Sequence, residues 1–173
     1  GSMANPIIFQ KSGMGANPVI VPPGSASTQD AGICIFTGDY VTFDGIDVAV
    51  ASGNVTVEYG VLLFGALANG AQNNTIKNAK LTGNRAATPT LSQGILHTNA
   101  GAATSAAGAQ SVNKYYNLTI ENYYRGATFL SGSTTFPDTG NEFGTTAGGT
   151  TTVGGATASD IGGGTSLAYG TQA

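Results

Sequence analysis

A short unit recurs along the chain: a glycine followed by closely spaced apolar residues, a turn, and a second apolar triplet. The glycine-led segments are Ala31-Gly32-Ile33-Cys34-Ile35-Phe36, Tyr59-Gly60-Val61-Leu62-Leu63-Phe64, Gln93-Gly94-Ile95-Leu96-His97 and Arg125-Gly126-Ala127-Thr128-Phe129-Leu130, and a fifth begins at Tyr169-Gly170-Thr171. The triplets are Phe43-Asp44-Gly45-Ile46-Asp47-Val48, Ile76-Lys77-Asn78-Ala79-Lys80-Leu81 and Tyr115-Tyr116-Asn117-Leu118-Thr119-Ile120. They read apolar, any, Gly or Asn, apolar, any, apolar. Self-similarity at tens of residues is the signature of a solenoid.

The repeat is uneven. Successive leading glycines lie 28, 34, 32 and 44 residues apart, and the triplet centres Gly45, Asn78 and Asn117 are 33 and 39 apart. Loops therefore vary in length while the strands stay constant. No segment holds a 3.6-residue apolar period over three turns, so a helical solenoid is not expected. Short strands punctuated by Gly, Asn, Thr and Ser are. In each triplet the first, fourth and sixth residues can face inward if the third makes a bend. Gly and Asn suit that bend because they tolerate a left-handed backbone. In-register stacking then predicts inward ladders Phe43/Ile76/Tyr115, Ile46/Ala79/Leu118 and Val48/Leu81/Ile120, between parallel strands.

The glycine-led strands are apolar on both faces, unlike a sheet with one wet side. Ile33, Val61, Ile95 and Ala127 share a face with Ile35, Leu63, His97 and Phe129; Cys34, Leu62, Leu96 and Thr128 share the other with Phe36, Phe64, Thr98 and Leu130. Either loops such as Asn99 to Val112 fold over that outer face or a second subunit does. Phe36, Leu62, Phe64, Leu96 and Leu130 are thus a candidate association face.

Organisation differs at the ends. Gly1-Ser2-Met3 reads as a tag remnant, with a native leader expected ahead of it. Residues 4–30 hold two short strands, Asn5 to Gln10 and Pro18 to Val21, read as an incomplete first coil and linker. Residues 31–173 are read as the coils, expected to continue in a longer solenoid. Gly140 to Gly164 reads as loop with one or two weak strands.

Composition narrows the picture. The 173 residues include 27 glycines and no Trp, and 9% are charged against 40% hydrophobic. Disordered chains have the opposite balance. Six Lys and Arg in a chain of net charge −3 cannot build a basic patch, so nucleic acid is not an expected partner. The longest apolar runs fall well short of the roughly 20 residues that span a bilayer, so no membrane insertion is expected. The lone Cys34 rules out an internal disulfide framework and reads as a small apolar side chain, buried or half-buried.

Two phrases carry a resemblance: Phe9-Gln10-Lys11-Ser12-Gly13 with Gly15-Ala16-Asn17-Pro18, and Asp39-Tyr40-Val41-Thr42-Phe43-Asp44-Gly45-Ile46-Asp47. They resemble coils of the right-handed parallel β-helices in large secreted surface proteins of Bacteroidetes-type bacteria, within the pectate-lyase-like superfold. Gly162 to Gly170 is similar to the same pattern. The resemblance implies an all-β fold, a right-handed parallel β-helix of about four coils, and an extracellular or cell-surface location. It leaves activity open, since such folds include polysaccharide-cleaving enzymes as well as stalks and adhesins.

Candidate chemistry is sparse. Asp39, Asp44 and Asp47 lie within nine residues and admit three readings: calcium ligands, acid–base catalysts, or rungs of a charge ladder in which Asp44 and Asp47 meet Lys77 and Lys80 of the next coil. No other cofactor is implied. His97, the only histidine, cannot build a typical zinc site alone; it reads as a hydrogen-bonded structural residue or a proton carrier. The Gly-rich runs lack the spacing of phosphate loops. Asn54-Val55-Thr56, Asn73-Asn74-Thr75 and Asn117-Leu118-Thr119 match the glycosylation sequon but read better as turn and ladder asparagines. Tyr116, Tyr123 and Tyr124 could stack on sugar rings, or cover a loop around a core Tyr115. Taken together the sequence predicts a non-catalytic structural or adhesive module, binding glycans or another copy of itself. The competing reading is a polysaccharide lyase or glycoside hydrolase using outward acids.

Overall fold

The computed structural model describes residues 1–25, 27–85, 92–144, 149–155, 160–162 and the backbone of 169–172. Thirteen strands follow in chain order: β1 (Ile7–Gln10), β2 (Val19–Ile20), β3 (Ala31–Phe36), β4 (Val41–Asp44), β5 (Asp47–Ala49), β6 (Tyr59–Gly65), β7 (Thr75–Thr82), β8 (Gln93–Asn99), β9 (Lys114–Glu121), β10 (Arg125–Phe129), β11 (Glu142–Phe143), β12 (Thr152–Val153) and β13 (Tyr169–Gln172). They form two sheets with every strand pairing parallel. The five-stranded sheet stacks β3, β6, β8, β10 and β13. In the eight-stranded sheet the rungs are β1 with β2, β4 with β5, β7, β9, and β11 with β12. Each turn of the chain lays one rung on each sheet, which makes the molecule a parallel β-helix.

The register is the one the repeat predicts. Tyr59 pairs with Gln93, and Gln93 with Arg125, so the leading glycines stack. Phe43 pairs with Ile76 and Ile76 with Tyr115; Val48 pairs with Leu81 and Leu81 with Ile120; Ala79 pairs with Leu118. All but the half-buried Phe43 are buried, and these ladders with Ile33, Val61, Ile95, Ile35 and Leu63 form the core between the sheets. The 4–30 segment supplies the two strands β1 and β2. β1 pairs residue for residue with β4, and β2 with β5, so both belong to the first rung. The two weak strands expected in Gly140 to Gly164 are β11 and β12; the run Gly163-Gly164 lies outside the described residues.

The corners explain the Gly/Asn choice. Gly45, Asn78 and Asn117 all have left-handed backbones, at φ +68°, +56° and +52°. Their side chains also bond along the axis: Asn117 Nδ2 donates to Asn78 Oδ1 at 2.7 Å, and Asn78 Nδ2 to Asp44 Oδ1 at 2.6 Å. A second left-handed corner stacks Tyr40, Asn73, Val112 and Gly140. Just inside it runs an asparagine ladder. Asn74 Oδ1 accepts from Val41 N, Asn113 Oδ1 from Asn74 N, and Asn141 Oδ1 from Asn113 N, at 2.9, 3.0 and 2.8 Å. Each of these side chains supplies the partner that a corner backbone N–H would otherwise lack. The asparagines of two of the three sequons are therefore corner and ladder residues, as the sequence predicts.

The leading glycines have a steric origin. A Cβ on Gly94 would lie 2.2 Å from Ile120 Cγ2 and 2.5 Å from the Gly126 carbonyl oxygen, and one on Gly60 would meet the Gly94 carbonyl and the Tyr123 hydroxyl, each at 2.6 Å. Here the strands of one sheet pass against the far end of the other. We expect Gly94→Ala to lower stability by about 1–3 kcal/mol through overpacking. Gly53→Ala, where a Cβ meets nothing within 4 Å, is expected to leave it within about 0.5 kcal/mol. Urea midpoints of the two variants check this.

Candidate functional site

The three carboxylates are dispersed into separate bonds between coils. Asp39 Oδ1 accepts from Gln72 N at 2.8 Å. Asp44 meets Lys77 Nζ at 3.1 Å as well as Asn78, so the first half of the expected charge ladder is present. The second half is built differently. Asp47 Oδ1 accepts from the backbone N–H of Lys80 and from Asn17 Nδ2, both at 2.8 Å, while the Lys80 ammonium reaches on to Glu121 at 2.7 Å. Lysine's long stem swings its charge away from Asp47 to the neighbouring rung on the other side, β9. No group of three or more His, Cys, Asp or Glu that could hold a metal comes together among the described residues.

The tyrosines divide. Tyr116 is half-buried on the outer side of β9, in register with Lys77, which in turn faces Asp44. Tyr123 and Tyr124 are 0% and 6% exposed, which withdraws both from any ligand-stacking surface. Tyr123 turns inward because the missing side chains of Gly60, Gly83 and Gly94 leave room for its ring. Its hydroxyl finds no hydrogen-bond partner there. Tyr124 packs under the Arg125 guanidinium, 5.9 Å from the ring centre.

His97 is 1% exposed and joins three coils. Its Nδ1 lies 2.9 Å from the Tyr115 hydroxyl, and its Nε2 is 3.4 Å from Asp138 Oδ2, at ion-pair range but outside hydrogen-bond geometry. Asp138 Oδ1 accepts from Gln110 N at 2.7 Å. Phe129 packs edge-on against Tyr115 and Phe143, and its ring lies 5.6 Å from the imidazole. The structural reading of His97 fits this position, where no substrate can reach it. Sequence reasoning missed Asp138 because Ser131 to Gly140 has no apolar period. The available signal was Thr139-Gly140-Asn141, which echoes Gln72-Asn73-Asn74 of the second corner.

The outer face of the five-stranded sheet is closed at its centre. Leu62 and Leu96 are 2% and 8% exposed, covered by the chain itself, so neither is available for association. Phe36 and Leu130 remain exposed, at 60% and 46%, and half-buried Phe64 stacks on Phe36 at 5.7 Å. Cys34 is exposed rather than buried, since β3 has a covering strand on one side only. Two surface clefts lie among the described residues. One, about 350 Å³, lies over the second corner between Gln72, Ser111, Thr139 and Phe136; the other, about 390 Å³, is bounded by Ser52, Asn84, Arg85 and Asn122.

Compared with protein-family models, curated proteins and solved structures, the chain matches none.

Two outcomes follow from this geometry. Asp47→Ala removes two acceptor contacts and is expected to cost about 1–3 kcal/mol, against about 0–1 kcal/mol for Lys77→Ala, read from denaturant midpoints. Burial holds the phenol of Tyr115 well above its ordinary range, with the Asp138 charge adding to the effect, and burial alone raises Tyr123. Only the unfolded chain then releases these protons near pH 10. Their contribution to stability is complete below about pH 10 and is lost as pH climbs toward the raised folded values. Phenolate absorbance from two of the seven tyrosines should appear only together with unfolding.

Proposed function

We propose that this chain is a non-catalytic structural and adhesive module of a secreted or surface-displayed bacterial protein, of the β-helix type found in large Bacteroidetes surface proteins. The observation that carries this reading is the use made of its charged groups. Asp39, Asp44, Asp47, Lys77, Lys80, Glu121, Lys114 and Glu142 all form bonds from one coil to another. Catalytic acids face a substrate; these face the neighbouring coil, where they fix register. The lyase or hydrolase alternative draws no support from such an arrangement.

What the module offers outward are loops, hydroxyls and amides on a stiff rod. Such a surface suits a glycan-binding or display role, in which rigidity keeps the binding groups pre-positioned. Phe36, Leu130 and the exposed Ile7, Ile8 and Phe9 of the first rung give it apolar contacts for a second copy. A glycan array run with and without calcium tests the reading. Retention of a defined polysaccharide without turnover is the expected result, and cleavage of any bound glycan would overturn it. Light scattering across concentration tests the self-association arm, which a strict monomer at high concentration excludes.

A further inference from the structure

The chain has only six Lys and Arg, and five of them are engaged. Lys77, Lys80 and Lys114 pair with Asp44, Glu121 and Glu142; Lys11 donates to the Gly15 carbonyl; Arg125 lies over Tyr124. Arg85 differs. The residue is half-buried, yet no hydrogen bond or ion pair holds its guanidinium among the described residues. Arg85 lines the cleft of about 390 Å³, a volume within the range of small-molecule sites, and its guanidinium carries five N–H donors.

The rest of that cleft is polar and drawn from successive coils. Ser52 follows β5, Thr82 to Arg85 end the next rung, and Asn122 ends the rung after that. Asn84 spends both amide protons on the Ser52 and Asn54 carbonyls, at 2.7 and 2.8 Å, which leaves its carbonyl oxygen to accept. The Asn122 side chain has no partner among the described residues, and its backbone is held left-handed at φ +59°. Glu121, the carboxylate touched by Thr82, is neutralised by Lys80 at 2.7 Å, so it does not cancel the charge of Arg85. The cleft combines a planar cation unpaired among the described residues with a hydroxyl, an amide and a carbonyl.

A guanidinium with no anion among the described residues favours a carboxylate, which it grips with two parallel hydrogen bonds. The surrounding acceptors and donors suit the hydroxyls of the body that bears it. We propose that this cleft is a binding subsite for an acidic saccharide, with Arg85 holding the uronate carboxylate and Ser52, Asn84 and Asn122 bonding ring hydroxyls. This deepens the glycan-binding part of the function proposed above and rests on it for biological context only.

Amide NMR of the ¹⁵N-labelled protein titrated with glucuronate, glucose and acetate tests the subsite. Expected are saturable shifts at Ser52, Asn84, Arg85 and Asn122 with glucuronate, and binding at least about tenfold weaker for glucose and for acetate. Arg85→Gln should lose at least about tenfold in glucuronate affinity with an unchanged melting temperature, Arg85→Lys should recover part of it, and Lys114→Gln should have no effect. Glucose matching glucuronate, acetate matching glucuronate, or Arg85→Gln binding like the parent would each overturn the subsite. If the array is positive while Arg85→Gln leaves that binding intact, the subsite fails and the adhesive reading stands. If glucuronate binds as described but no polysaccharide is retained, the adhesive reading fails and the subsite stands.

Discussion

Every strand here can satisfy its backbone only through the equivalent strand one coil away. Parallel pairing of this kind has no local hairpin to set its register, so register has to come from elsewhere. It comes from the corners. At Gly45, Asn78 and Asn117, and again at Tyr40, Asn73, Val112 and Gly140, the chain takes a left-handed turn at the same level in successive coils. A slip by one residue would place a residue unsuited to that conformation at the bend. It would also turn Ile76, Leu81, Leu118 and Ile120 out of the core. Side-chain bonds such as Asn117 to Asn78 and Asn113 to Asn74 reinforce the same register from the corner itself.

The polar economy of the molecule follows from that constraint. A buried corner needs partners for its N–H groups, and asparagine provides both a donor and an acceptor within one short side chain. Charged residues serve the same end on the outer face. Asp47 satisfies a backbone N–H where a simple ion pair was expected, and Lys80 is thereby free to reach Glu121. The result is a surface on which most charge is already committed, which is why the guanidinium of Arg85, unpaired among the described residues, stands out.

Much of this was legible in the sequence, because the glycine and triplet spacings encode the strand register directly. Tyr59 over Gln93 over Arg125, and Phe43 over Ile76 over Tyr115, are read by aligning copies. The inner asparagine ladder was only partly readable: Asn74, Asn113 and Asn141 precede β7, β9 and β11, in loops whose lengths differ from coil to coil. The burial of Tyr123 was not readable at all, since it depends on space left by glycines up to 63 residues away and not on its own neighbours. Asp138 escaped for a related reason: its partner His97 is set by the stacking of coils, while its own segment has no repeat. The candidate ligand surface suffered most, because exposure of Tyr124, Leu62 and Leu96 is decided by which loop lies over them.

The two sheets carry a mechanical consequence. Hydrogen bonds between rungs point along the axis of the stack, and so do the ladders of asparagine and the Asp44–Lys77 and Lys80–Glu121 pairs. Tension along that axis loads the rungs in series, so the coil with the fewest bonds yields first and the others follow one by one. Force across the axis loads all the bonds of a rung together, in shear. Such a rod resists sideways load far better than lengthwise pull, and its extension under tension is stepwise, one coil at a time.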